Sequence, residues 1–256
     1  MFGFLLLTAA LTAQGNGMPP ASGPDLINLK TPQVLGAGQQ AASVDLRLEG
    51  GYEKTLRADL GYRFGLGHNF EVDGATSLTR WDTETAASGS TVRSGGTDGE
   101  VSLKYKVDAG VPVSVQAGLA YVQTPAQQDR LETTLGASAE WEPTKGVRLY
   151  ANPRAVFLDN NSIFGFGLGF SAKIVQGIDL LGDWTPILSG DNTVDMQTGQ
   201  RDRGELYSIG LSFNDLIPKG AVDLGITNAT GSTTGSSLTP TLGGAPSLFL
   251  RLSYRF

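Results

Sequence analysis

Apolar and polar residues alternate along most of the chain from residue 41 onward. The pattern is clearest in 56–64, LRADLGYRF, where nearly every second residue is apolar. Successive side chains of a β-strand point to opposite faces, so each such segment has one apolar face and one polar or small face. The alternation predicts twelve strands, at 41–49, 56–64, 70–78, 101–107, 113–121, 131–141, 147–157, 164–172, 178–184, 207–213, 222–226 and 248–256.

The connections between the predicted strands differ in length according to their order. Counted from the first strand, every connection longer than eight residues is odd-numbered, and every even-numbered one has seven residues or fewer. A soluble β-sandwich has no reason to sort its connections, whereas outer-membrane barrels have long extracellular loops and short periplasmic turns. We therefore expect an all-β protein over residues 41–256, a closed antiparallel transmembrane β-barrel of about twelve strands in the bacterial outer membrane.

Residues 1–40 lack this alternation. The apolar run 1–13, MFGFLLLTAALTA, is too short to span a bilayer as a helix, which takes roughly 20 residues. Small residues close it, as a signal-peptidase site requires, and we expect a signal peptide. No Lys or Arg precedes Phe2, so a start further upstream or a buried strand are the alternatives. Residues 14–40, rich in Gly, Pro and Asn, are predicted to be an extended leader, either a periplasmic tail or a segment inside the lumen.

Three local features modify the predicted barrel. Pro153 removes a backbone donor from the seventh strand, so we expect a bulge or an early strand end there. The alternate glycines of Gly165–Gly169 resemble a phosphate-binding loop, but no helix follows, and they fit a crowded lumen wall better. The connection Asn228–Ser247, rich in Ser, Thr and Gly, is expected to be a mobile extracellular loop, the alternative being a lid folded into the pore.

The C-terminal segment 248–256, LFLRLSYRF, ends in Phe256, with Tyr254 two positions before it and further apolar residues at alternate places. This ending resembles the closing strand of Gram-negative outer-membrane proteins, and the rest of the chain is loosely similar to porin-like barrel families. In that class the ending is a signal for the barrel-assembly machinery. The resemblance therefore implies this machinery and outer-membrane lipid as partners, and it specifies neither a solute nor an oligomeric state.

Polar residues at alternate positions are expected to line the lumen. Their charges are nearly balanced and form no ring of one sign, which a pore for anionic substrates would have. Twelve strands lie between eight, which side chains fill, and sixteen, which leave an aqueous channel. Two interpretations follow: a porin-like channel for passive diffusion of small polar solutes, or a structural or surface-attachment barrel without transport. The residues expected to line the pore are Arg47, Arg57, Asp59, Arg63, Glu71, Asp73, Lys104, Lys106, Arg148, Arg154, Asp179, Asp183 and Arg251.

Composition argues against several other functions. The formal net charge of −6 offers no basic stripe for nucleic acid, and the absence of cysteine removes disulfides and thiol catalysis. The single histidine, His68, falls in a short predicted turn with no positioned nucleophile, so we expect no enzyme. We also expect no metal site and no cofactor.

Overall fold

The computed structural model describes residues 26–49, 55–79, 82–85, 91–94, 97–124, 127–158, 161–194, 200–241 and 244–256. The predicted signal peptide and residues 14–25 of the predicted leader lie outside these described residues. The described part of the chain contains no helix of the length and apolar character needed to cross a membrane.

Twelve long antiparallel strands form one closed sheet, which confirms the predicted fold class. Each strand pairs with the next along the chain, and the last strand pairs with the first. We number them β1 to β12: Gln40–Glu49, Thr55–Gly67, Phe70–Thr79, Thr97–Val107, Val113–Thr124, Gln127–Thr144, Val147–Phe157, Ile163–Val175, Ile178–Thr185, Leu206–Phe213, Gly220–Thr227 and Ser247–Arg255.

Short elements extend the barrel beyond these strands. Ile187–Ser189 continues beyond β9 and pairs with β8. Two small hairpins lie in the long connections, formed by Asp82–Thr85 with Thr91–Ser94 and by Thr193–Val194 with Arg201–Asp202. A single 3₁₀ turn is described, at Ser236–Leu238 in the connection between β11 and β12.

The apolar face of each strand points outward. In β1, Leu46 and Leu48 are 40% and 51% exposed, while the intervening Asp45 and Arg47 are 3% and 0% exposed. This is the inverse of a soluble protein, and it suits a surface that faces hydrocarbon on the outside. The period of two in the sequence therefore separates a lipid-facing surface from a polar interior.

The two ends of the barrel differ as the sequence predicts. Turns of two residues at 68–69, 145–146 and 176–177 lie at the same end as Gln40 and Phe256, where the Phe256 N–H donates to the Gln40 carbonyl at 2.9 Å. We take this end as periplasmic, because outer-membrane barrels have their short turns there. The three longest connections, at 80–96, 186–205 and 228–246, join strands at the other end.

Pro153 does not interrupt β7, so the expected bulge or early end is wrong. The strand continues to Phe157, and Pro153 keeps its place opposite Phe166 of β8. On the other side of Pro153 the missing N–H is replaced by a side chain, since Asn152 Nδ2 donates to the Ala137 carbonyl of β6 at 2.6 Å. The backbone acceptor is thus satisfied, and the strand has no reason to end.

Leu250 provides a test of the lipid-facing surface. It lies near the middle of β12, opposite Leu46 and Leu224, on the outer face. Leu250→Arg is expected to lower the free energy of unfolding by about 2–4 kcal/mol, because a charge at the bilayer midplane loses its hydration. The control Leu216→Arg, in the periplasmic turn and 66% exposed before substitution, should cost at most about 1 kcal/mol. Urea titration of protein refolded into lipid vesicles measures both, and equal losses would contradict the assignment.

Candidate functional site

The inner faces of β1 and β2 carry four charges in a square. The strand register places Asp45 opposite Asp59 and Arg47 opposite Arg57, so like charges face each other directly. Ion pairs along each strand offset this repulsion, with Arg47 Nη2 2.9 Å from Asp45 Oδ2 and Arg57 Nε 2.9 Å from Asp59 Oδ1. All four residues are at most 8% exposed. Each buried charge therefore depends on its partner.

Further ion pairs extend this charged wall around the barrel from β11 to β4. They join Arg57 to Asp98 at 2.7 Å, Arg63 to Glu71 at 2.7 Å, Lys104 to Glu71 at 3.8 Å and Arg251 to Asp223 at 2.7 Å.

The wall formed by β7 to β10 has a different character. Gly165, Gly167 and Gly169 alternate along the inner face of β8, and apolar side chains flank them. The flanking side chains are Tyr150, Val156, Leu181 and Leu206 from this wall and Phe249 from β12. The lumen thus has a side lined by ion pairs and a side with a glycine and apolar surface, in which Arg154 and Asp183 are buried charges.

Residues 26–37, which we name the N-terminal plug, lie inside the lumen. Three of their backbone carbonyls accept hydrogen bonds from wall cations: Leu26 from Arg251 Nη1 at 3.1 Å, Asn28 from Arg154 Nη1 at 2.7 Å, and Gln33 from both Arg63 Nη2 at 2.9 Å and Lys104 Nζ at 2.8 Å. The sequence allows the predicted leader to be either a periplasmic tail or a lumen segment. Its described part has lumen contacts.

Side chains of the N-terminal plug also bind carboxylates of the wall. Lys30 Nζ lies 2.8 Å from Asp73 Oδ2. Asn28 Nδ2 donates to Asp183 Oδ1 at 3.1 Å and to Thr227 Oγ1 at 2.9 Å. These contacts fix the register of the plug against both sides of the lumen.

The glycines of β8 form a groove for leucine side chains. A Cβ atom at Gly167 would overlap Leu29, and one at Gly169 would overlap Leu26. A Cβ at Gly165 would overlap Leu238, which comes from the connection between β11 and β12. We name this inner surface of Gly165, Gly167 and Gly169 the glycine groove. Its close approach explains the alternate glycines of the sequence, which belong to a crowded lumen wall.

The connection between β11 and β12 folds into the lumen from the extracellular end. Thr233 Oγ1 donates to Asp98 Oδ2 at 2.6 Å, and Thr234 Oγ1 donates to Glu100 Oε1 at 2.7 Å. The expectation of a mobile extracellular loop is therefore wrong for its described residues 228–241. The physical reason is its many hydroxyls, which satisfy buried wall carboxylates without adding charge.

Most of the expected pore residues lie deep inside the barrel. Arg47, Arg57, Asp59, Arg63, Glu71, Asp73, Lys104, Arg154, Asp183 and Arg251 are each at most 8% exposed. Lys106, Arg148 and Asp179 are half-buried at the periplasmic ends of their strands.

Sequence reasoning missed Asp98, which lies two residues before Glu100 on the inner face of β4. A longer fourth strand would have included it. The chain offers no comparable signal for the N-terminal plug, because the wall arginines bind it through backbone carbonyls, which every residue has.

Little space remains around the plug. A cavity of about 50 Å³ lies between the plug and the charged wall, where Asp45, Asp59, Asp73 and Arg251 are among its lining residues. Within the described residues no group of three or more His, Cys, Asp or Glu is placed to hold a metal ion. The site is a polar interior occupied by the protein's own chain.

Comparison with known proteins gives relatives in structure alone. No protein-family model matches the chain, and no curated protein matches its sequence. An outer-membrane channel from Pseudomonas putida F1 matches with a TM-score of 0.60 and 13% identity, over 88% of this chain and 97% of that one. A NanC porin matches at 0.55 and 10%, over 83% and 97%. A KdgM porin matches at 0.54 and 9%, over 84% and 99%.

Such low identities show the shared fold alone. That fold, with its apolar outer surface, is the fold of bacterial outer-membrane barrels, and it places the chain in the outer membrane.

Arg47 provides a test of the charged wall. It is fully buried and also lies 3.8 Å from Asp59 Oδ2, so Arg47→Met leaves two facing carboxylates without this cation. We expect the free energy of unfolding in urea to fall by about 3–5 kcal/mol. The control is Arg203→Met, which removes an exposed pair with Asp191 at 3.8 Å and should cost less than about 1 kcal/mol. Comparable losses in both variants would show that the wall charges are solvated.

Proposed function

We propose that the protein is an outer-membrane channel for small polar solutes, closed by its own N-terminal plug. The observation that carries the proposal is the way the plug is held. It is not a strand of the sheet, and wall cations bind its backbone carbonyls, as Arg154 and Lys104 do. Water or a polar solute can replace a carbonyl oxygen at each of these donors. The plug can therefore leave the lumen without breaking the barrel.

The energetics favour a reversible closure. A hydrogen bond to a charged donor contributes about 1.5–3 kcal/mol. The bonds between the wall cations and the plug carbonyls can break one at a time. The plug joins the barrel through the short turn before Gln40, where the Gly38 N–H donates to the Gly65 carbonyl at 2.8 Å. This turn lies at the periplasmic end, so the plug would move toward the periplasm.

A structural barrel without transport is the second candidate. The observation that favours it is the connection 228–241, which fills the lumen from the opposite end and buries Leu238 completely. In that case the ion pairs of the wall would serve stability alone. We propose no enzymatic activity, since His68 is exposed in the turn 68–69, away from the lumen.

Gly167→Ala tests the channel. The added methyl group overlaps Leu29, and overpacking of this kind costs about 1–3 kcal/mol, so it should raise the open fraction about fivefold or more. The control is Gly136→Ala on the lumen face of β6, where a Cβ meets Arg154 Cγ at 3.6 Å in ordinary contact. Single-channel recordings in planar bilayers measure the open fraction.

Two results would contradict the channel. One is silence from both variants and from the unsubstituted protein, while all three give a heat-modifiable folded band on gels. That outcome supports the structural barrel. The other is an equal gain in current for both glycine variants, because it would separate conduction from the plug.

We also propose that the C-terminal strand is bound by the barrel-assembly machinery. The Phe256 ring packs edge-on against Tyr254 with centroids 5.2 Å apart, and its backbone closes the sheet through Gln40. Phe256→Ala keeps that backbone bond and should change in vitro stability by less than about 1 kcal/mol.

In cells, Phe256→Ala should reduce the folded, heat-modifiable band in outer-membrane fractions. The control is Phe213→Ala, at the same end of the barrel but in β10 and away from the C-terminus. An equal reduction for both variants would show that loss of an aromatic ring, and not of the terminal signal, is responsible.

A further inference from the structure

We infer that the open lumen binds a small carboxylate with an apolar tail, whose charged oxygen atoms take the place of the Asn28 carbonyl and whose tail takes the place of the Leu29 side chain of the plug. This inference rests on the proposed function and names the class of solute. It depends on one unusual cation, Arg154, and on its position beside the glycine groove.

Arg154 is buried without an ion-pair partner. It is 3% exposed, and no carboxylate among the described residues lies within 4.0 Å of it. Its Nη1 donates to the Asn28 carbonyl at 2.7 Å and to Ser237 Oγ at 2.5 Å, and its Nη2 donates to Thr185 Oγ1 at 3.1 Å. Its Nε has no hydrogen-bond partner.

Both acceptors at Nη1 belong to elements that fill the lumen, and we take both to leave when it opens. Asn28 is part of the N-terminal plug, and Ser237 is part of the connection 228–241. When they leave, the guanidinium keeps a single hydroxyl acceptor, Thr185. A buried guanidinium in that condition binds a carboxylate well, because the planar fork matches two oxygen atoms.

The two nearest acids do not fill this role. Glu100 accepts hydrogen bonds from Thr134 and Thr234, and Asp183 accepts them from Ser208 and from the backbone N–H and Nδ2 of Asn28. Neither forms an ion pair with Arg154 within 4.0 Å. In the closed barrel an acceptor at Arg154 Nη1 is therefore supplied by the plug, and a solute carboxylate would take its place.

The strand register places an apolar surface next to this cation. Arg154 lies directly opposite Gly165, and Tyr150 lies directly opposite Gly169. The glycine groove therefore starts at Arg154 and runs about 13 Å along β8, at 3.3 Å per residue. Leu181 and Phe249 belong to the apolar cluster that buries Leu26 and Leu29 there.

The plug itself shows the shape of the ligand. The Asn28 carbonyl carbon is joined through the Leu29 nitrogen, Cα and Cβ to Leu29 Cγ, which carries two methyl groups. The same number of bonds separates the carboxylate and the branch in 5-methylhexanoate. Because the oxygen at Arg154 and the isobutyl group in the glycine groove are already accommodated, this acid is the matched probe.

Binding is measured on the full chain carrying Leu26→Ser and Leu29→Ser, which removes the apolar contacts of the plug. Equilibrium dialysis of radiolabelled 5-methylhexanoate against the refolded protein in detergent gives Kd, with empty micelles as the blank. We expect saturable binding, weakened about tenfold or more by Arg154→Gln. The control Arg203→Gln removes an exposed cation whose ion pair is with Asp191, outside the glycine groove and the plug, and should change Kd by less than about twofold.

Probe chemistry separates the two parts of the site. Acetate lacks the body and 5-methylhexylamine has the opposite charge, so both should bind at least about tenfold more weakly than 5-methylhexanoate. Equal binding of the amine, or an unchanged Kd in Arg154→Gln, overturns the inference. Should Arg154→Gln fail to fold, Arg154→Lys keeps the charge without the planar fork and should give intermediate affinity.

Current and binding are recorded independently, so the two proposals can fail separately. An open current without saturable binding of 5-methylhexanoate keeps the channel and overturns this site. Saturable binding that needs Arg154, without any current, keeps the site and overturns the channel.

Discussion

Closure of the hydrogen-bonded sheet is the constraint on which the rest of this molecule depends. Lipid offers no partner to a backbone N–H or C=O, so a spanning sheet has to pair its last strand with its first. Here β12 pairs with β1 along its whole length, from Ala41 opposite Arg255 to Glu49 opposite Ser247. Closure separates an apolar outside from an enclosed inside. The charges inside then have to satisfy one another or the chain that fills the lumen.

The wall arginines show how both needs are met at once. A guanidinium has five N–H donors, more than one carboxylate can accept. Arg47 binds Asp45 and also donates to the Ala229 carbonyl at 2.7 Å, and Arg63 binds Glu71 and also donates to the Gln33 carbonyl. The ion pairs hold the wall, and the remaining donors hold the plug and the connection 228–241. Wall and occupant therefore share the same cations.

The sequence predicts the wall far better than its occupant, for a physical reason. A period of two is imposed on every strand by lipid on one side, so the twelve strands and inward residues such as Asp59 can be recognised. The plug is bound through carbonyl oxygens, which every residue has, so LINLK at 26–30 carries no comparable pattern. Pro153 misleads because the compensating donor is a side chain, Asn152, whose direction depends on the neighbouring strand.

Arg154 links occupation of the lumen to its opening. In the closed barrel its Nη1 is satisfied by the plug and by Ser237, so opening exposes a buried cation with too few acceptors. A ligand that binds only the open form stabilises that form by mass action. An anion at Arg154 therefore competes with the plug. Its binding shifts the barrel toward the open form by the same free energy by which opening strengthens its binding. In such a barrel the solute does more than pass through, because it replaces the part of the chain that keeps the lumen closed.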